Sequence, residues 1–108
     1  GEDVTRHPEP RIQATGHQIM PPARYARYPR IREGYESARR SAAILDGVFC
    51  YCFCSEHAGH YSLLDCFESD HAARCDVCLA EAVLADRMSR DGAGLDRIRA
   101  AVDDTFGS

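Results

Sequence analysis

The sequence lacks lysine altogether, so all 13 basic residues are arginine, and they stand against 17 acidic residues. The net charge of -4 gives no general attraction to phosphate backbones, and we expect no binding to nucleic acid. Long hydrophobic runs are also missing, because no apolar stretch approaches the roughly 20 residues of a membrane-spanning helix. We expect any secretion signal or lipid anchor to lie upstream of Gly1, and contact with a membrane would depend on such an anchor.

Catalytic signatures are equally scarce. The sequence contains no recognisable Ser-His-Asp arrangement, phosphate-binding loop or hydrolase-type pair of carboxylates. We therefore expect a binding protein and not an enzyme. The length of 108 residues allows one compact domain.

Proline is confined to residues 1–30, which contain all five prolines and little apolar periodicity. This composition indicates a Pro-rich irregular lead, which is either a tether to an upstream anchor or a strap over the domain. The sequence thus divides into this lead and a cysteine-rich helical domain of residues 31–108.

Apolar residues recur at helical spacing in three segments, which are Ile31–Asp46, about His71–Arg90 and Leu95–Phe106. We expect Ser69 or Asp70 to cap the second helix. Between the first two helices, residues 48–54 alternate aromatic residues with cysteines and predict an extended segment that leads into a loop. The predicted fold is mainly α, a small three-helix domain with an extended C-x-C-x-C segment.

Cysteine is unusually abundant, with six residues in the pattern C-x-C-x-C, eleven residues, C, eight residues, C-x-x-C. In an extended strand, the first three cysteines project to one side, while Tyr51 and Phe53 point to the other. In the first turn of a helix, the C-x-x-C pair shares one face, where the helix dipole lowers thiol pKa values. These spacings predict one site with up to six sulfur ligands, which are Cys50, Cys52, Cys54, Cys66, Cys75 and Cys78.

Sulfur ligands suit soft or borderline ions, namely Cu(I), Zn(II) or an iron–sulfur cluster, and disfavour calcium. One tetrahedral zinc ion would use four of the six sulfurs. Two zinc ions or several cuprous ions would use the set more fully. The closely spaced C-x-C units favour Cu(I), which two or three thiolates satisfy, whereas zinc sites more often use C-x-x-C.

Three alternatives remain open for the cysteines. They can form a disulfide framework, although joining the two cysteines of a C-x-C unit would close a strained ring. They can hold one structural zinc ion that stabilises a small core. The Cys75–Cys78 pair can also be a redox pair, although the chain is too short and too helical for a thioredoxin-like sheet.

Histidines extend the candidate metal site. His57 and His60 lie in the loop after the C-x-C-x-C segment, and we take His60 as the preferred additional ligand. His71 precedes the C-x-x-C pair by four residues, which places it on the same face of the predicted helix. We expect Asp65 and Asp70 to cap turns instead of binding metal.

Four segments resemble the bacterial proteins named for a PCYCGC motif, and they are residues 49–54, 59–62, 65–67 and 75–78. The resemblance covers most of residues 33–108. The sequence departs from the motif at Phe49, which stands in place of Pro, and at Phe53, which stands in place of Gly. Because members often look like secreted lipoproteins, the resemblance implies an extracytoplasmic bacterial module and no enzyme activity.

Together these features predict an extracytoplasmic protein that holds Cu(I) in a multi-thiolate cluster, for copper sequestration or delivery. Its partners would then be metal ions and a copper-donor or copper-acceptor protein. The alternative is a small interaction module in which zinc or disulfides stabilise the fold and a surface contacts another protein.

Overall fold

Helices dominate the protein, and the predicted mainly α fold class is confirmed. The computed structural model describes residues 7–53 and 59–107. These ranges contain four α-helices and no β-strand, and the helices are α1 (Pro29–Arg40), α2 (Ala42–Leu45), α3 (Asp76–Arg90) and α4 (Leu95–Phe106). Short 3-10 helices span Gly16–Gln18, Pro22–Tyr25, Leu63–Phe67 and Ala72–Arg74. None of the helices in the described ranges combines the length and hydropathy that a bilayer crossing demands.

The first predicted helix is interrupted at Ser41. Its apolar stripe is present, since Tyr35 and Leu45 are fully buried. Ser41, however, leaves helical geometry, with a φ of -120° and a ψ of 36°, and its hydroxyl donates to the carboxylate of Asp86 at 2.7 Å. The prediction of one continuous helix over Ile31–Asp46 is therefore wrong, because the chain breaks where this buried carboxylate on α3 binds it.

The second long helix begins later than the sequence predicts. Helix α3 starts directly after Cys75, which is extended and whose Sγ accepts a hydrogen bond from the N–H of Cys78 at 3.3 Å. The expected start near His71, with Ser69 or Asp70 as the cap, is wrong. The residues before Cys75 form a separate 3-10 turn, and the sulfur takes the capping position that a hydroxyl or carboxylate usually fills.

Helices α1 and α3 approach each other closely at Gly34. A Cβ atom added there would lie 2.5 Å from Cδ2 of Leu79, well inside van der Waals contact. Beside this crossing, the buried ring of Tyr35 contacts the rings of Tyr25 and Phe67, with centroids 4.3 and 4.9 Å away. The core therefore joins α1 and α3 to the N-terminal segment and to the 3-10 helix that carries Cys66.

The N-terminal segment, residues 7–28, lies against the helices. The buried ring of His7 contacts Asp103 on α4 through Nε2 at 2.8 Å. The guanidinium of Arg11 donates to the fully buried carboxylate of Asp46 at 2.6 Å. These are the contacts of a strap, while the division of the chain into two parts at residue 30 stays a prediction.

Candidate metal centre

The C-x-C-x-C segment begins in a tight turn. The N–H of Phe53 donates to the carbonyl of Cys50 at 3.0 Å, and Phe53 has a φ of 62°, in the left-handed region. The backbone thus differs from the predicted extended segment, because a strand does not pass through this conformation. The turn still brings the Sγ atoms of Cys50 and Cys52 within 3.4 Å of each other. Cys54 and His57 lie outside the described residues.

Aromatic rings form a second cluster at this turn. Phe49, Tyr51 and Phe53 contact one another edge to face, with ring centroids 5.0 to 6.3 Å apart. The main-chain N–H of Tyr51 donates to the buried carboxylate of Glu81 on α3 at 2.8 Å, and its hydroxyl donates to Asp103 on α4. The turn is therefore fastened to two helices.

Four sulfur atoms converge from three parts of the chain. Cys50 and Cys52 belong to the turn, Cys66 to the 3-10 helix Leu63–Phe67, and Cys78 to the first turn of α3. Their four Sγ atoms lie within 4.8 Å of one another. The distance from Cys78 is 3.1 Å to Cys50 and 3.5 Å to Cys52, longer than the roughly 2.05 Å of a disulfide bond. Sulfur ligands of a tetrahedral zinc ion lie about 3.8 Å apart, so small shifts would let these thiols hold one metal ion.

The cysteines of this region differ in burial and role. Cys50, Cys66 and Cys78 are at most 2% exposed, whereas Cys52 and Cys75 are half-buried. Within the described residues, the group of four mutually close sulfurs does not include Cys75, whose Sγ caps α3. The predicted pair is thus divided: Cys78 enters the cluster, and Cys75 supports the start of the helix that positions it.

Two imidazoles border the sulfur cluster. Nδ1 of His60 lies 3.3 Å from Sγ of Cys66, and Nε2 of His71 lies 3.7 Å from Sγ of Cys52. His60, Cys66 and His71 form a second group of ligand atoms within 4.8 Å of one another. His71 reaches this place from the segment before the 3-10 helix Ala72–Arg74, and the prediction that it lies on a face of the long helix is wrong.

The donor atoms in the two groups are sulfur and imidazole nitrogen, and among the described residues neither group contains a carboxylate. Asp65 accepts the N–H of Tyr61 at 2.8 Å, while Asp70 accepts a hydrogen bond from the guanidinium of Arg24 at 3.0 Å. These two carboxylates therefore fasten loops. Sulfur and nitrogen donors suit soft or borderline transition metals over hard cations.

The cluster shifts thiol pKa values in opposite directions. Hydrogen bonds from Cys50 and Cys66 lower the pKa of Cys78 to about 6, although burial and Cys75 oppose this shift. Burial raises the pKa of Cys52, and the neighbouring Cys50 raises it further. Cys78 therefore loses its proton at a lower pH than Cys52 does. Because a metal ion must displace the remaining protons, its affinity rises with pH.

Sequence reasoning missed two polar residues that support the site. Glu81 is fully buried on α3, three positions after Cys78, and accepts the N–H of Tyr51. The sequence signal for Glu81 is an acidic residue that lies one helical turn after a cysteine within an otherwise apolar stretch of helix. His7 is the other, because its Nδ1 accepts the N–H of Phe49 at 3.0 Å. Nothing local in the sequence indicates that contact across 42 residues.

The fold and the site define a small helical protein whose clustered cysteines and histidines could hold a metal ion. The chain belongs to the PCYCGC family, since the family's sequence model, described as a protein of unknown function with PCYCGC motif, matches residues 11–108. The resemblance indicated by the motifs is thereby confirmed. A search of curated proteins found no match, and a search of solved structures also found none.

The two departures from the motif have visible structural counterparts. Phe53 occupies the place of the motif's glycine, and it is the one non-glycine residue with a positive φ among the described residues. Phe49 occupies the place of the motif's proline and contributes an N–H that proline lacks, which His7 accepts. His7 itself precedes the segment that matches the family.

Proposed function

We propose that this protein binds Cu(I) in its thiolate cluster, either to sequester copper or to deliver it to another protein. The observation that carries the proposal is the convergence of four sulfur atoms, from Cys50, Cys52, Cys66 and Cys78, within 4.8 Å. Cuprous ion prefers such soft ligands and is satisfied by two or three of them. Copper is here the cargo of the protein.

The number and exposure of the donors support a cargo site over a closed structural site. A structural zinc ion needs four ligands, and the described residues offer four clustered sulfurs and two adjacent imidazoles. Cys52 is half-buried whereas the other three cluster cysteines are buried, so Cys52 is the cluster residue that a partner's thiol can approach most easily.

A structural zinc site is the second candidate, and the burial of three sulfurs favours it. Cys50, Cys66 and Cys78 are at most 2% exposed and belong to the hydrophobic core. With Cys52 they provide the four thiolates of a structural tetrahedral site. In that case metal binding stabilises the fold, and function lies in a surface that contacts another protein.

The proposal assigns binding and no catalysis to the site. A cysteine beside a histidine is an arrangement that nucleophilic enzymes use, and Cys66 lies 3.3 Å from His60. Cys66 is fully buried, however, so its sulfur is not presented to a substrate. The contact is better suited to metal binding.

The proposal also includes a location outside the cytoplasmic membrane. It rests on the resemblance of the motif family to secreted lipoproteins, and the partner would be a copper-donor or copper-acceptor protein in the same compartment. Fractionation of the producing cells, with detection of the protein in each fraction, tests this part.

Metal content and thiol count, measured on protein purified without added metal or chelator, test the proposed cargo. We expect copper with thiols that become reactive once the metal is removed. One equivalent of zinc, with loss of helicity when it is chelated, would instead support the structural site. Visible absorption typical of an iron–sulfur cluster would contradict both.

Two matched serine variants sharpen the test. Cys52→Ser removes a half-buried cluster sulfur, and we expect Cu(I) affinity to fall at least about tenfold, since even changes around metal ligands weaken sites by roughly 10- to 100-fold. Cys75→Ser is the control, because serine is itself a good helix cap and Cys75 lies outside the four-sulfur group. Equal affinities in competition with a chromophoric Cu(I) chelator would contradict the proposed site.

A further inference from the structure

We propose that His60, Cys66 and His71 form a second cuprous-ion site, which shares the sulfur of Cys66 with the four-thiol site. This inference rests on the proposed function and deepens it, because it assigns a separate ion to the imidazole side of the cluster. The protein would then hold a metal centre of at least two ions bridged by one thiolate.

The geometry supports a distinct site. Nδ1 of His60 is 3.3 Å from Sγ of Cys66, and the three ligand atoms lie within 4.8 Å of one another. Two imidazoles and a thiolate around one ion are about 3.4 to 3.8 Å apart at ordinary metal–ligand bond lengths. The two rings, with centroids 4.8 Å apart and tilted by 69°, bring two nitrogens to the same place without stacking face to face.

The sharing of Cys66 follows from the membership of the two groups. Cys66 belongs both to the four-sulfur group and to the His60–Cys66–His71 group. A thiolate has enough lone pairs to bind two ions. A second ion here also reduces the net negative charge of the buried thiolates, which is costly to leave uncompensated in a low-dielectric interior.

The ligand chemistry favours cuprous ion at this site. Two neutral imidazoles and one thiolate provide three donors, a number that suits Cu(I), whereas zinc would need a fourth ligand. His60 and His71 are half-buried, while Cys66 is fully buried. The second site therefore lies on the more accessible side of the shared sulfur.

Titration of the reduced protein with Cu(I) tests the second site. We expect the double variant His60→Ala/His71→Ala to bind one equivalent fewer than the parent protein, measured against a chromophoric chelator. The matched control is His17→Ala, which removes an exposed histidine of the Gly16–Gln18 turn and is expected to leave the stoichiometry unchanged. An unchanged stoichiometry in the double variant would overturn the second site.

X-ray absorption at the copper edge keeps the inference testable if the double variant does not fold. Fully loaded parent protein should show both sulfur ligands and the outer scattering of imidazole rings. Sulfur scattering alone would overturn the second site and leave the four-thiol site standing. Failure of the parent protein to bind any Cu(I) would overturn the proposed function itself, so the two failures are distinct.

Discussion

The left-handed conformation of Phe53 predicts that glycine is the better residue at this position. Phe53 has a φ of 62° and is 43% exposed, so its ring is only partly packed against Phe49 and Tyr51. The informative comparison is between Phe53→Gly and Phe53→Ala. Both variants lose the ring, and they differ only in whether a Cβ atom is present in the left-handed region.

The magnitude follows from two opposing effects. A Cβ atom in the left-handed region costs roughly 1–2 kcal/mol. Glycine loses more backbone freedom on folding, and this entropy difference stabilises the alanine variant by about 0.4–1 kcal/mol relative to the glycine variant. We therefore expect Phe53→Gly to be more stable than Phe53→Ala by about 1 kcal/mol, or about 4 °C in Tm for a domain of this size.

Thermal and urea unfolding of the reduced proteins, followed by far-ultraviolet circular dichroism, measure this difference. Gly92→Ala serves as the calibrating control, because Gly92 has a φ of 96° and an added Cβ atom meets no neighbour within 4 Å. The free energy of unfolding of that variant should fall by about 1 kcal/mol, because alanine also places a Cβ atom in the left-handed region. If the alanine variant at Phe53 equals or exceeds the glycine variant in stability, the assigned turn is wrong.

Two further predictions concern the packing that surrounds the site. Asp46→Asn should destabilise the protein at pH 7 by about 2–3 kcal/mol, because it weakens charge-assisted hydrogen bonds in a fully buried position. Burial alone would raise the pKa of Asp46, but hydrogen bonds from Arg11 and Ser62 outweigh it and hold the pKa below its usual 3.8. The stabilisation is therefore present above that value and is lost as the pH falls through the lowered pKa. Urea unfolding should accordingly show that the free energies of unfolding of parent and variant converge in acid. A difference that does not change with pH would contradict this assignment. Gly34→Val should cost about 1–3 kcal/mol through overpacking against Leu79, and an unchanged urea midpoint would mean that α1 and α3 do not meet there.

Local patterns in the sequence predict most of the helical structure. The segment Leu95–Phe106 is helical, as its periodicity indicates. Helix α3 ends just before Gly92, which has a positive φ, as the sequence predicts for a glycine at this place. The helix break at Ser41 could not be predicted, because it depends on Asp86, 45 residues away. The same holds for the start of α3, where Cys75 takes the place of a usual cap.

The site was partly predictable for a similar reason. Spacing alone indicates that cysteines from the C-x-C unit, the loop and the helix meet, and the structure brings together Cys50, Cys52, Cys66 and Cys78. Spacing does not indicate that Cys75 turns to the helix backbone. Cys75 caps the helix because its own backbone is extended. The apolar periodicity of residues 71–90 predicts helix throughout and does not indicate this extended residue.

The contact between His7 and Asp103 also bears on how the protein is made. The two residues are 96 positions apart, and Tyr51 of the motif turn donates to the same carboxylate. Because a ribosome adds residues from the N-terminus, Asp103 is synthesised 52 residues after Tyr51. The motif turn therefore gains this contact only after Asp103 has been synthesised, and until then Cys50 and Cys52 belong to a nascent chain in which the turn lacks its contact with α4.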